Sequence, residues 1–343
     1  MLRKVIVMND HANLDAKLET GLLFGWILNG KGGGRAVAWP EARDWVATAG
    51  GETLWLHMDR TVDGIDDWLE ARFNMSEATA DALISNETRP RAFREDDALV
   101  AILRGMNLNE GADPDDMIAL QIWATQTCVI SLRRRFMQSP RQVLADLEAG
   151  QGPLTAGDLL TELAERLVVN MSIRIVAMNT QIDDLEATLE TGDVEELLTE
   201  IGDIRRSCLA MKRYMSPQLD ALVQISRAEA DVSWMSPRNQ RDVREIIERL
   251  QRYLDDIDVS KESAIVLQDD LNNRATQQTN KTMYMLSIVA AIFLPLGFLT
   301  GLLGINVGGM PGTDSDMAFW GFVIVLMMLM GLQYYIFKRL KWL

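Results

Sequence analysis

The chain has 343 residues, 48% of them hydrophobic and 24% charged, with a formal net charge of −15. That length allows two domains, or one with an elaboration, and the acidity argues against nucleic acid because nothing builds a basic stripe. Only Cys128 and Cys208 occur, far apart, which leaves no readable disulfide framework or cysteine zinc site and makes two buried thiols the expectation.

Met1 to Leu14 carries an Arg-Lys pair but no apolar core or small-residue cleavage site, so it is not read as a signal peptide. The first 150 residues alternate short extended runs with helices. Strands are expected at Gly21–Leu28, Thr53–Met58, Ala98–Leu103, Ile118–Thr125 and Thr127–Leu132. Helices are expected near Pro40–Thr48, Ile65–Arg72 and Ser76–Ser85. Asn29 to Gly34 reads as a glycine-rich hairpin turn; its Gly-Lys-Gly-Gly-Gly lacks the Walker spacing of a phosphate loop. His11 and His57 have no His or Cys at ligand spacing and read as surface or strand histidines. No nucleophile, acid–base pair or cofactor loop is visible, so an enzyme is the least supported class.

Long helices follow. One is expected over Thr155–Leu189, with a turn at Glu190–Asp193, and a second from Val194 to about Val232, interrupted or bent near Ser216-Pro217. Ser236-Pro237 reads as an N-cap with proline at the first helical position. From there Val243, Ile246, Ile247, Leu250, Leu254, Ile257, Ile265 and Leu271 form an apolar stripe, and no Gly or Pro intervenes until Pro295. One helix of roughly 100 Å is expected, at ~1.5 Å per residue, and such a helix needs partners along its length. Asp255, Asp256 and Asp258 read as a solvated face.

Two stretches, 284–303 and 318–337, hold no charged residue. Each has the ~20 positions that cross ~30 Å of hydrocarbon. Lys281 precedes the first; Lys338, Arg339 and Lys341 follow the second; the connector holds Asp314 and Asp316 without Lys or Arg. Positive flanks stay inside, which places both termini in the cytoplasm. Tyr284, Tyr334, Tyr335 and Trp342 mark the inner border, Phe319 and Trp320 the outer. From residue 280 the chain carries a net +2, leaving −17 on the first 279 residues, an acidic body that attracts cations. The expected division is a cytoplasmic α/β domain (1–150), long helices and stalk (151–282), and a transmembrane hairpin (283–343) with its outer loop at 304–317.

The first span is rich in small residues. Steps of three and four join Asn280, Met283, Ser287, Ala290, Leu294, Gly297 and Gly301, polar or small positions alternating with bulky constrictions. Such a face suits a pore wall with hydrophobic gates or a tight helix–helix seam, and periodicity does not separate the two. Pro295 is tolerated where a neighbour satisfies the carbonyl it frees. Met327, Met328 and Met330 read as a lipid-facing or packing surface.

The first span ends in Phe293-Leu294-Pro295-Leu296-Gly297-Phe298-Leu299-Thr300-Gly301-Leu302-Leu303-Gly304-Ile305-Asn306, with Met310-Pro311 beyond. This resembles the pore helix of the CorA metal-ion transporter family and its Gly-Met-Asn motif. The Gly-Ile-Asn form is that of the family's zinc-transporting ZntB branch. Glu87, Arg89-Pro90-Arg91 and the region of Pro217 also look like the family, so the resemblance covers essentially the whole chain. It implies a CorA-like funnel: a homopentamer with the first spans around a pore, five stalks beneath and α/β domains around them. Five helix C-termini at the outer mouth would favour a cation. Asn306 could hold a hydrated divalent ion through water. Asn280 and Met283 match family pore positions near the inner end. Gly312 follows Met-Pro where many magnesium transporters have Glu, and Gly297 stands where some relatives have Thr. The expectation is Zn2+ uptake across a bacterial inner membrane, with possible proton linkage, no cofactor, and bilayer, divalent cations and further copies as partners. A CorA-like Mg2+/Co2+ channel is the alternative. A scaffold that the hairpin merely anchors would need neither the small-residue face nor the Gly-Ile-Asn mouth.

Overall fold

The computed structural model describes residues 14–47, 51–113, 115–228, 232–304, 312, 315 and 317–340. They fall into two compact units that meet in sequence at Leu267 and Gln268.

The first unit opens with α1 (14–21), β1 (Leu22–Leu28), β2 (Gly34–Val37), α2 (Trp39–Asp44), β3 (Thr53–Asp59), α3 (Ile65–Phe73) and α4 (Glu77–Ile84). Then come β4 (Arg91–Glu95), β5 (Ala98–Met106), β6 (Met117–Ala124), β7 (Cys128–Arg133) and α5 (Gln138–Glu148). The strands form one sheet in the order β2-β1-β3-β7-β6-β5-β4, with β3 and β7 parallel and the other neighbours antiparallel. Asn29–Gly34 is the hairpin turn expected: Gly30 and Gly32 take positive φ, and Asn29 Oδ1 accepts from the Lys31 and Gly33 amides.

The central strands read as apolar runs because both their faces are covered. Leu54, Leu56, Met58, Ile130 and Leu132 pack with Trp39, Trp68, Leu69 and Leu83 of α2–α4. Helices α6 (Ala156–Val169) and α8 (Val194–Ala228) also pack on the sheet. Gly105 lets α6 approach β5, since a Cβ there would stand 2.5 Å from Leu167 Cδ2. Cys128 and Cys208 are free and buried, and burial pushes the Cys128 thiol up to about 12.

His57 is buried on β3, its Nδ1 2.8 Å from Ser131 Oγ and its ring against Phe24. Burial, with Arg133 and Arg141 adding, pushes its pKa down to about 3. An unfolded histidine titrates near ~6.5. Between those values the unfolded chain binds a proton that the folded chain refuses, so stability falls as pH falls below ~6.5. Thermal melts at pH 7, 6 and 5 should show the drop, and His57→Phe should remove up to ~2 kcal/mol of it.

The expected helix over Thr155–Leu189 is two helices, α6 and α7 (Ser172–Thr188). They meet at a short turn at Asn170-Met171, where both residues keep right-handed helical dihedrals and Met171 N donates to Val168 O; Asn170 Nδ2 donates to Ser139 Oγ and Gln142 Oε1 of α5, at 3.1 and 3.2 Å. Helix α8 runs through Pro217 without interruption. Its proline is flanked by fully buried Met215 and Gln218, so packing outweighs the one lost backbone bond. Helix α9 spans Pro237–Leu303, 67 residues. Its start is reciprocally capped: the Asn239 amide donates to Ser236 Oγ, and Asn239 Oδ1 accepts from the Ser236 amide. Asn239 Nδ2 donates to Asp158 Oδ1 at 2.6 Å, and the same Asp158 completes the capping box of α6 with Thr155. One carboxylate thus ties two helix starts together. Along α9, Val243, Ile246, Leu250, Leu254 and Ile257 are buried as the stripe predicts. Asp258 pairs with Lys212 at 2.6 Å on the surface.

The second unit holds the end of α9 and α10 (Ala318–Arg339). Both are long and apolar enough to cross a membrane, and their apolar windows are not buried within the chain. Core helices of a soluble protein would be buried, so that reading of the two segments fails.

Candidate functional site

The geometry of the second unit follows from which side chains α9 and α10 turn toward each other. On α10, Phe322, Val323, Leu326, Leu329, Gln333 and Phe337 are half-buried or buried and recur at helical spacing; the residues between them are exposed. On α9 the half-buried set is Ile288, Ala291, Ile292, Leu296 and Leu299. At 100° per residue that contact face lies about 150° around the helix from the small-residue face. Asn280, Met283, Ser287, Ala290, Leu294, Gly297 and Gly301 are accordingly all exposed, Met283 at 62% and Leu294 at 70%. A Cβ built at Gly297 or Gly301 would meet nothing within 4 Å. The face is not the seam with α10. It is free for lipid, for other copies of the chain or for a lumen.

The chemistry of this face is narrower than its composition suggests. Ser287 Oγ donates to Met283 O at 2.8 Å, and beside the face Thr300 Oγ1 donates to Leu296 O at 3.0 Å. Those hydroxyls are engaged with their own helix. What remains is the Asn280 amide, the Met283 thioether, and small or apolar surface. No ionisable side chain lies on the face. A hydrated ion would pass it without strong ligation, as a conduction path requires. Gly304 closes the helix, its amide donating to the Thr300 and Gly301 carbonyls. Ile305, Asn306, Asp314, Asp316 and the Met310-Pro311 pair lie outside the described residues, as do His11 and Trp342. At the C-terminal end of α10 Lys338 Nζ stands 6.0 Å from the Tyr334 ring; at its N-terminal end Phe319 and Trp320 stack edge-on at 5.6 Å. The Met327, Met328 and Met330 side chains are exposed.

Gln333 is a residue that the sequence reading passed over. Pro295 has no amide hydrogen, so the carbonyl four residues earlier, Ala291 O, loses its helical donor. Gln333 Nε2 of α10 reaches that carbonyl at 3.3 Å. In hydrocarbon no water could substitute, and an unpaired carbonyl costs several kcal/mol. The signal was available: a proline in one span calls for a side-chain donor in the other. The Gln333 Oε1 atom is buried and has no hydrogen-bond partner among the described residues.

An α/β unit with long helices, joined to an apolar hairpin whose small-residue face its own second helix leaves open, marks a membrane protein of the transport class. The chain belongs to the family of CorA-like Mg2+ transporter proteins, whose family model matches residues 50–339. It is a transporter and not an enzyme. The chain is 38% identical over 330 residues to the divalent cation transporter CmaX of Pseudomonas aeruginosa, covering 95% of this chain and 98% of that one. It is 34% identical over 328 residues to the zinc transport protein ZntB of Pectobacterium atrosepticum, covering 95% and 97%. The solved structure of the full-length CmaX protein superposes with a TM-score of 0.81 at 36% identity, covering 94% of this chain and 99% of that one.

Proposed function

We propose that the chain carries Zn2+ into the cytoplasm across a bacterial inner membrane, through a homopentameric pore lined by the small-residue face of α9. The carrying observation is the opposition of that face to the α10 contact. Each copy turns Asn280, Met283, Ser287, Ala290, Leu294, Gly297 and Gly301 toward its neighbours, with Leu294 and Met283 the narrow, dewetting positions. At the outer mouth Gly304, Ile305 and Asn306 receive the ion. Asn306 oxygens hold it through its water shell, helped by the negative ends of five helix dipoles, and Asp314 and Asp316 raise the local cation concentration. Both termini are cytoplasmic, set by Lys281, Lys338 and Arg339.

Zinc rests on the Gly-Ile-Asn form and on relatives named as zinc transporters. The second reading is a Mg2+/Co2+ channel, favoured by the absence of N or S ligands other than Met283 on this face. Ion flux into liposomes containing the purified protein decides between them. Zn2+ entry faster than Mg2+ entry, accelerated by an inward proton gradient, supports the first; gradient-independent Mg2+ entry supports the second. Asn306→Ala should abolish either flux with the oligomer intact, and unchanged flux would remove the motif from the mechanism.

A further inference from the structure

Away from the membrane segments, the first unit gathers arginines to a degree unexpected in a chain of net charge −15. Two clefts, of about 260 and 450 Å3, share Asn86, Thr88 and Arg104 in their walls. Arg60, Arg134 and Arg135 line the first; Arg89 and Arg213 line the second. The only carboxylates in the two linings are Asp116 and Glu87.

The two innermost guanidiniums are held in place by neutral oxygens, with no carboxylate in direct contact. Arg60 is 9% exposed and donates to the carbonyls of Ile84 and Ser85 and to Asn86 Oδ1. Arg104 donates through Nε to Thr88 O, and to Thr88 Oγ1 and Met117 O, while its guanidinium lies 4.1 Å over the Tyr214 ring. Among the described residues neither forms an ion pair. Burial draws both below the ordinary arginine range, with Arg134 and Arg213 among the charges that add to the effect. Asp116 is engaged with Arg135 at 2.6 Å and with Asn107. Asp59 and Asp116 oppose these charges only from a distance, so two part-buried guanidiniums without a carboxylate in direct contact would gain from an arriving anion. At the rim the exposed Arg89 and Arg134 have no hydrogen bond or ion pair among the described residues, so their forks are free to close on it.

We propose that these joined clefts are a binding site for a compact, multiply charged oxyanion of the phosphate or pyrophosphate class. The Tyr214 ring already carries Arg104 and stands 5.6 Å from Arg213, so it offers no platform to a nucleobase; the site reads charge rather than a base. Arg60 and Arg104 supply the fixed floor, and Arg89 and Arg134 the adjustable rim.

The test uses the full-length protein in detergent, with inorganic phosphate and pyrophosphate as probes and sodium chloride at matched ionic strength as control. Pyrophosphate should raise the melting temperature saturably and give a calorimetric binding isotherm. Arg89→Ala with Arg134→Ala, both exposed and free of structural bonds, should weaken it about tenfold or more, the loss of two charge-assisted contacts. Retention of the unliganded melting temperature by that double variant would show that the chain still folds. No binding at millimolar pyrophosphate, equal stabilisation by chloride, or a double variant that binds unchanged would each overturn the proposal. So would loss of the oligomer on Arg134→Glu without any phosphate effect, which would assign the clefts to carboxylates of a second copy.

Discussion

Gly297→Phe should reduce divalent-cation flux to background while leaving the soluble unit folded. The expectation follows from open space: a Cβ at 297 meets nothing within 4 Å among the described residues of the single chain. Any effect of the substitution must therefore arise where copies face one another or face a lumen. The outcomes separate the two roles that periodicity left open. If the face lines a pore, the phenylalanine oligomer assembles normally, as judged by size-exclusion chromatography with light scattering, and does not conduct. If the face is a close helix seam, a ring in place of a hydrogen prevents backbone approach and the oligomer itself is lost. Gly301→Phe should give the same result. Phe at Val325, on the exposed side of α10, should change neither flux nor assembly.

The second large effect is expected at the hairpin contact. Gln333→Leu removes the donor to Ala291 O and should lower flux and oligomer melting temperature together. Interhelical hydrogen bonds in membranes average ~0.6 kcal/mol and reach ~1.7, so a destabilisation of that order is expected, with flux falling as assembled oligomer is lost. The informative comparison is with Pro295→Ala, which returns the missing backbone amide and so satisfies Ala291 O within its own helix. In that background Gln333→Leu should cost little, a non-additivity that a double-mutant cycle measures directly. Equal losses with and without Pro295 would show that Gln333 acts through packing and that the carbonyl is irrelevant.

Much of the fold could be read in the residues because the relevant signals are long and local. Two charge-free runs of 20 residues, an apolar stripe without Gly or Pro from Pro237 onward, and the Asn29–Gly34 turn each carry their own structural instruction. What escaped lacked such signals. Strands β2 and β4 are short edge strands with arginines among few apolar residues, and their pairing is decided by β1 and β5. The turn between α6 and α7 contains neither glycine nor proline and keeps helical dihedrals, so no local signal marks it. Pro217 stands inside α8 without interrupting it.

The candidate site divides along the same line. The small-residue face is periodic and visible, but which way it points depends on where α10 lies, and that only the packed pair reveals. The arginine clefts were invisible for a related reason. Positions 60, 89, 104, 134, 135 and 213 are scattered through the chain, and only the β3–β7 and β5–β6 pairings and the packing of α8 bring them together.

The tie between Ala291 and Gln333 also bears on how the hairpin is made. The two residues are 42 positions apart, and synthesis runs at ~5–20 residues per second. For a few seconds the first span therefore exists with one backbone carbonyl that lipid cannot satisfy. During that interval its cheapest surroundings are the aqueous or proteinaceous channel of the insertion machinery. The first span thus gains the partner for its freed carbonyl only when the second has been made, which ties the two helices by a hydrogen bond as well as by packing.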